Sequence, residues 1–316
     1  MILVTGATGF VGNALIKRLV ADRSQVNILA AVRRSNAPLP QAVRAVTVGD
    51  LAPGTHWTAA LQGARAVVHC AARVHVMRDD AADPLTTYRT VNVEGTLNLA
   101  RQAATAGVSR FVFVSSIKVN GESTLPGRSF RAEDAAAPVD PYGVSKMEAE
   151  LGLRKLESET GMEVVIVRPP LVYGPGVKAN FASMMHWMAR GVPLPLGAIH
   201  NARSMVALDN LVDLLKTCLH HPAAAGQTFL VSDGEDVSTT DLLRRTAQAM
   251  GKRAVLIPVP AIALELGATL LGKRAVAQRL CGSLQVDIEK TCRVLGWSPP
   301  LKLDQGLKKA VEAMSQ

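Results

Sequence analysis

The sequence predicts an α/β fold: a doubly wound parallel sheet covered by helices on both faces, with a smaller, partly interleaved C-terminal lobe. Two observations predict it. The chain opens on an apolar strand, Ile2–Thr5, that runs straight into Gly6, Gly9 and Gly12 and then into a helix-forming stretch. Through the first half, short unbroken apolar runs alternate with helical stretches. Unbroken apolar strands need cover on both faces, which is the habit of parallel sheets wound by crossover helices.

The elements follow in order. The strand Ile2–Thr5 leads to a helix from Asn13 to about Val20, then a second strand at Asn27–Val32. Arg65–Cys70 reads as a buried strand, and a helix from about Val93 to Ala106 stops at Gly107. Arg110–Ser115 is the next strand. A helix from Pro141 to about Thr160 ends at Gly161, and Glu163–Val167 is a strand again. Beyond Pro169 the pattern loosens, with Pro and Gly dense at Pro169-Pro170, Gly174-Pro175-Gly176 and Gly191 to Gly197. Gln227–Ser232 reads as one more strand. The last part is helical pieces broken by Pro258, Pro260, Pro299 and Pro300. The expected division is therefore a first unit over 1–170 that contains the glycine loop, with a strand returning near 227–232, and a second lobe made mostly of 171–316.

Composition narrows the class. Of 316 residues 48% are hydrophobic, enough for a large core and too many for a disordered chain. The formal net charge is +9, yet the basic residues are scattered, in pairs such as Arg33-Arg34, Arg244-Arg245 and Lys308-Lys309. Only 4% of residues are aromatic, which leaves little to stack bases, so nucleic-acid binding is not expected. Two readings of the charge stand: a diffuse field that draws an anionic small molecule, or simple solubility. Cys70, Cys218, Cys281 and Cys292 form no CxxC pair and sit near no histidine at ligand spacing. Reduced thiols, a cytoplasmic setting and no metal are the expectations. The glycine loop begins so early that no leader is expected before it. The apolar stretch from Ala261 to Leu271 contains Glu265 and closes on Gly272-Lys273-Arg274. It is too short to span a bilayer, so no stable insertion is expected. A core helix and a membrane-surface contact both remain open.

Two groups of residues carry chemistry. Gly6 permits a sharp turn off the strand, Gly9 lets the backbone approach something bulky, and Gly12 lets the helix pack closely on the strand. The helix start then offers unpaired N–H groups and a positive dipole end to a pyrophosphate, the signature of a Rossmann-type nucleotide site. Farther on, Tyr142 and Lys146 stand four apart on one helix and so share a face. Asp140 and Pro141 before them make a helix start. A phenol with a pKa of about 10 is a poor base at neutral pH, and a nearby ammonium is expected to lower it. Ser115 and Ser116 end a strand, where a substrate oxygen could be held.

Together these residues resemble the extended short-chain dehydrogenase/reductases, specifically the NAD-dependent epimerase/dehydratase group that acts on nucleotide sugars. The resemblance covers nearly the whole chain. It rests, in order, on Thr5 to Gly12, Gly49-Asp50-Leu51, His69 to Ala72, Asn92 to Thr96, Ser115-Ser116, Tyr142 to Lys146, Arg168-Pro169 and Tyr173 to Gly176. It implies that Gly6, Gly9, Phe10, Val11 and Gly12 cradle the pyrophosphate, and that Asp50 and Leu51 meet the adenine. Ala71, Ala72, Arg73, Ser115 and Pro169 would lie along the cofactor, and Asn92 beneath the site. Ser116 would hold the sugar's C4 oxygen, with Lys118 near the substrate. Tyr142 would be the acid/base and Lys146 would bind the nicotinamide ribose. Asn180 and Arg203 match positions that hold the nucleotide diphosphate; a loop polar residue and a solvated charge are their plain alternatives. The family habit implies a homodimer pairing the helices near Thr96 and Tyr142.

Two departures sort the family's members. Its 4,6-dehydratases carry an Asp-Glu pair after the catalytic hydroxyl, where this chain has Ile117 and Lys118. Dehydration is therefore not expected. At the end of the second strand, NAD-selective members keep an acid, where this chain has Arg33 and Arg34. Arginine there accommodates a 2′-phosphate, so the cofactor is NAD(P) with NADPH favoured over NADH, unless both are exposed loop charges. The strings Ser115–Glu122 and Arg168–Phe181 resemble O-antigen enzymes that reduce UDP-2-acetamido-2,6-dideoxy-hexos-4-ulose to UDP-N-acetylquinovosamine. That 4-ketoreductase is the leading expectation. A UDP-glucose or UDP-N-acetylglucosamine 4-epimerase follows, and a non-catalytic NADP-binding scaffold is the remote third.

Overall fold

The structure, a computed structural model, describes residues 1–22, 27–74, 83–125, 127–177, 179–270, 272 and 274–314. Its strands are β1 (Ile2–Thr5), β2 (Ile28–Val32), β3 (Arg44–Thr47), β4 (Ala66–His69), β5 (Arg110–Val114), β6 (Glu163–Arg168), β7 (Leu171–Tyr173), β8 (Arg203–Ala207), β9 (Thr228–Leu230) and β10 (Asp236–Val237). The first half holds helices α1 (Phe10–Ala21), α2 (Thr58–Leu61), α3 (Pro84–Tyr88), α4 (Thr96–Thr105) and α5 (Pro141–Thr160). The second half holds α6 (Ala179–Ala189), α7 (Leu208–His220), α8 (Thr239–Ala249), α9 (Ala261–Leu270), α10 (Arg274–Cys281), α11 (Glu289–Leu295) and α12 (Leu303–Glu312).

Seven strands form one parallel sheet in the order β3-β2-β1-β4-β5-β6-β9. β1 lies in the middle, with Val4 opposite Ala30 on one side and Val68 on the other. The winding reverses between β1 and β4, which opens a crevice at the carboxyl ends of those strands. Successive residues of a strand point to opposite faces, and the core divides accordingly. Val4, Val68 and Val112 meet Leu15 and Ile16 of α1 and Leu211 and Leu215 of α7. Leu3, Val67, Phe111 and Phe113 meet Leu99 and Ala103 of α4 and Ala149 and Leu153 of α5. Leu15 and Leu153 are both fully buried. Truncating either to Ala costs about 2–5 kcal/mol, because the close-packed surroundings only partly collapse into the space. A separate three-stranded sheet, β10-β8-β7, packs with α6, α8 and α12 around Tyr173, Met185, Leu243 and Leu307.

Four differences from the sequence reading have physical causes. α1 begins at Phe10, three residues earlier than expected, because Gly9 serves as its cap and Gly12 lies inside its first turn. A Cβ on Gly12 would lie 2.3 Å from the Gly6 carbonyl oxygen, so the glycine there allows contact rather than breaking the helix. The helix expected from Val93 starts farther back: α3 runs through a π-helical stretch, Arg89–Gly95, into α4. β3 was not expected; its residues are mostly exposed, so it has no apolar run to announce it. α9 is not a core helix, since none of its residues is buried. Among the described residues, no helix is long and apolar enough to cross a membrane.

Candidate active site

The glycine turn lies where β1 ends. Gly6 has φ 63°, and a Cβ there would strike the backbone of Cys70 and Ala71 at under 3 Å. Its glycine is demanded by β4's neighbouring loop rather than by a ligand. Gly9 is different: a Cβ there would meet only the Gly6 oxygen, at 3.1 Å, so its outer side is open. The first intrahelical bond of α1 runs from Asn13 N–H to the Gly9 carbonyl, 3.0 Å. The amides of Phe10, Val11 and Gly12 therefore precede the ladder, with neither a side-chain cap nor an acidic residue in the first turn. That cradle fits an anionic diphosphate.

Arg33 and Arg34 are both exposed just past β2. The Arg33 guanidinium lies 3.7 Å from Asp50, which brings the two candidate residues for the adenosine end side by side. Leu51 packs against Gly95. Ala71 donates its N–H to the Thr5 hydroxyl, 3.3 Å, and Ala71, Ala72 and Arg73 continue half-buried past β4. Asn92, buried in the π-helical stretch, holds the Arg73 backbone both ways: it accepts from its N–H at 2.8 Å and donates to its carbonyl at 3.0 Å. It also donates to Ser145 Oγ on α5, 3.0 Å. One side chain thus ties the β4 loop to the helix that carries Tyr142.

α5 is built from its ends. Asp140 caps it by accepting from Gly143 N–H, 2.7 Å, with Pro141 in the first turn, and Gly161 ends it in the left-handed region. Tyr142 and Lys146 fall on one face, with Tyr142 near the Ser116 hydroxyl past the end of β5. Burial pushes the Tyr142 phenol up to about 12, the Asp140 carboxylate adds to this, and the Ser116 hydroxyl opposes it. Burial pulls the Lys146 ammonium down to about 7. Its Nζ donates to the Val114 carbonyl, 2.7 Å, and sits 4.0 Å from the Phe113 ring centroid. This corrects the sequence expectation. Lys146 is not among the groups that shift the phenol: its ammonium is held by β5, and burial keeps the proton on Tyr142.

A buried network lies under this pair. Ser115, expected along the cofactor, donates to Glu150 Oε1 at 2.5 Å. Arg168 donates from both Nε and Nη2 to Glu150, and from Nη1 to Asn120 Oδ1 at 2.9 Å. Glu150 lies one turn beyond Lys146 and its charge supports the ammonium. Sequence reasoning missed Glu150, although Tyr142, Lys146 and Glu150 repeat every four residues along one helix. It also missed Tyr88, whose ring meets Tyr142 edge-on at 6.0 Å beneath the Arg73 guanidinium. Pro169 is buried and its carbonyl accepts from Ile117 N–H, 3.0 Å, holding the turn after β5. Lys118 is engaged with Asp140 and with Glu122 rather than standing free toward a substrate. Arg203 opens β8 and donates to the carbonyls of Arg279 and Gly282. Asn180 is in the first turn of α6, and its side chain lies outside the described residues.

Comparison with known proteins fits this geometry. Residues 2–232 match the model of the NAD dependent epimerase/dehydratase family. A UDP-glucose 4-epimerase of Vibrio cholerae is 51% identical over 316 residues, 100% of this chain and 95% of that protein. An N-acetyl-alpha-D-glucosaminyl-diphospho-ditrans,octacis-undecaprenol 4-epimerase of Escherichia coli O157:H7 is 28% identical, over 98% of this chain and 94% of its own length. In fold, the chain matches a Bacillus cereus UDP-glucuronic acid 4-epimerase solved with NAD. The TM-score is 0.80 at 20% identity, covering 100% of this chain and 98% of that one. With its glycine cradle, its tyrosine and lysine on one helix face, and this full-length kinship, the chain belongs to the NAD dependent epimerase/dehydratase family.

Proposed function

We propose that the protein is an NAD(P)-dependent 4-epimerase of UDP-hexoses, which inverts the configuration at C4. The 51% identity to the Vibrio cholerae UDP-glucose 4-epimerase over the whole chain carries the choice. The 4-ketoreductase, favoured from the motifs alone, draws no such support from these relatives. Ser116 and Tyr142, neighbours at the end of β5 and the start of α5, converge on one oxygen, that of the C4 hydroxyl or carbonyl. Tyr142 serves as the base only once ionised: as phenolate it takes that proton as C4 is oxidised, and as phenol it gives it back on the return, while Ser116 fixes the oxygen's position. Lys146 would hold the nicotinamide ribose, and Gly9 with the first amides of α1 would hold the diphosphate. The nicotinamide, when bound, supplies the reversible hydride acceptor. Asn92 keeps the β4 loop and α5 in register.

An epimerase regenerates its cofactor in each turnover, so NAD can stay resident, whereas a net reductase must exchange it. Arg33 and Arg34 are the residues that would admit a 2′-phosphate. The homodimer belongs to the same reading, through α4 and α5 of two copies, where Leu151 is 63% exposed. A light-scattering mass reads it. The deciding experiment incubates the protein with UDP-glucose or UDP-N-acetylglucosamine and no added cofactor, and follows the sugar by proton NMR. The expected result is C4 inversion without net cofactor use. Inert UDP-hexoses, together with NADPH oxidation by a UDP-4-keto-6-deoxy sugar, would return the assignment to the ketoreductase.

A further inference from the structure

The segment from Gly251 to Cys281 is set apart from the rest by its charge and exposure. It carries Lys252, Arg253, Lys273, Arg274 and Arg279 against one acidic residue, Glu265. Within it α9 buries no residue. Ile262, Leu266 and Leu270 are 72%, 64% and 88% exposed, and their spacing of four places them in one stripe along the helix. Ile257 before α9 and Val276 on α10 are also about half exposed. A groove between α9 and α10 is lined by Ile262, Glu265, Leu266, Thr269 and Gln278, so the segment's one acid lies within it. A soluble surface seldom leaves such a run of large aliphatic side chains uncovered without a partner.

The charges decide what covers it. A two-fold contact with a second copy would set this patch against itself, and five cations with one anion would then face their own likeness. A nucleic acid would meet no ring to stack on, since 251–281 contains no Phe, Tyr or Trp. Exposed aliphatic side chains in a segment this rich in Lys and Arg suit an anionic lipid surface, with the chains at the acyl boundary and cations among the headgroups. We infer that α9 is a peripheral membrane contact: Ile262, Leu266 and Leu270 enter the interface of a bilayer containing anionic phospholipid, and the net positive charge of the 251–281 segment holds the protein to it. This is adsorption in the plane of the membrane, distinct from the sugar chemistry and independent of it.

The test is flotation of the full chain with vesicles of phosphatidylcholine, with and without phosphatidylglycerol. The triple variant Ile262→Gln, Leu266→Gln, Leu270→Gln runs beside the wild type. All three side chains are exposed, so the variant should keep the wild-type thermal midpoint. The wild type floats with phosphatidylglycerol vesicles, weakly or not at all with phosphatidylcholine alone, and less as salt rises. The triple variant loses vesicle binding by roughly tenfold or more. Failure of the wild type to float, or equal flotation of the triple variant, overturns the inference. So does a lipid-free wild-type mass that exceeds the variant's, since the stripe would then be covered by a second copy.

Discussion

At Tyr142, burial, the Asp140 carboxylate and the neighbouring Tyr88 all hold the proton on the phenol, and only Ser116 pulls the other way. A group in that state is an acid waiting for a change in its surroundings. Tyr142→Phe removes the transferable proton and leaves the glycine cradle untouched. We expect turnover to fall by about 10²–10⁴-fold while cofactor affinity, read by fluorescence titration, stays within error. Undiminished turnover would remove Tyr142 from the chemistry. Arg33 is 79% exposed and pairs with a similarly exposed Asp50, so it contributes little to stability. Arg33→Ala should weaken NADPH more than NADH in the same titration; equal loss would show that it does not meet the 2′-phosphate. The motif residues were legible because each is needed singly. Glu150 was not, because its importance comes from Arg168 and Ser115, which reach it only once β5, β6 and α5 have packed.

Among the elements, α5 was read with both of its ends, because Asp140, Pro141 and Gly161 each mark a boundary through backbone chemistry. The start of α4 was not, since the π-helical stretch before it has no cap and no breaker at the junction. β3 was invisible because an exposed edge strand has no need of apolar residues. The cap of α5 also touches the chemistry. Asp140 accepts from Gly143 N–H, pairs with Lys118 and raises the Tyr142 phenol. Asp140→Asn keeps a capping oxygen and removes the charge, so stability should change by only about 0.5 kcal/mol. With the carboxylate gone the phenol ionises more readily, so the limb of the pH–rate profile that reports Tyr142 should move to lower pH. An unmoved profile would mean that Asp140 acts only as a cap.

Across the whole molecule, His69 joins three elements. Its ring nitrogens lie 2.7 Å from Thr5 Oγ1 on β1 and 3.0 Å from Thr96 Oγ1 on α4, and the residue is fully buried on β4. Burial holds its pKa at about 3, with the Lys146 charge adding to the shift. The unfolded chain binds this proton near 6.5 and the folded chain does not, so stability is full above that pH and is lost as pH falls toward 3. Between pH 7 and pH 5 the loss from this residue amounts to about 2 kcal/mol. Denaturant unfolding at the two pH values should show this loss in the wild type and not in His69→Gln; equal losses in both would mean that His69 is not held neutral. The sheet itself closes late in the chain, since β6's outer neighbour is β9, which pairs with it through Thr228, Phe229 and Leu230. During synthesis β6 leaves the ribosome well ahead of that strand, so the nascent polypeptide carries a bare rim at Ile166 to Arg168 until its last neighbour arrives. A fragment cut near residue 170 would keep every glycine of the nucleotide loop and still end in an adhesive border, inviting aggregation where a tidy minimal half was intended.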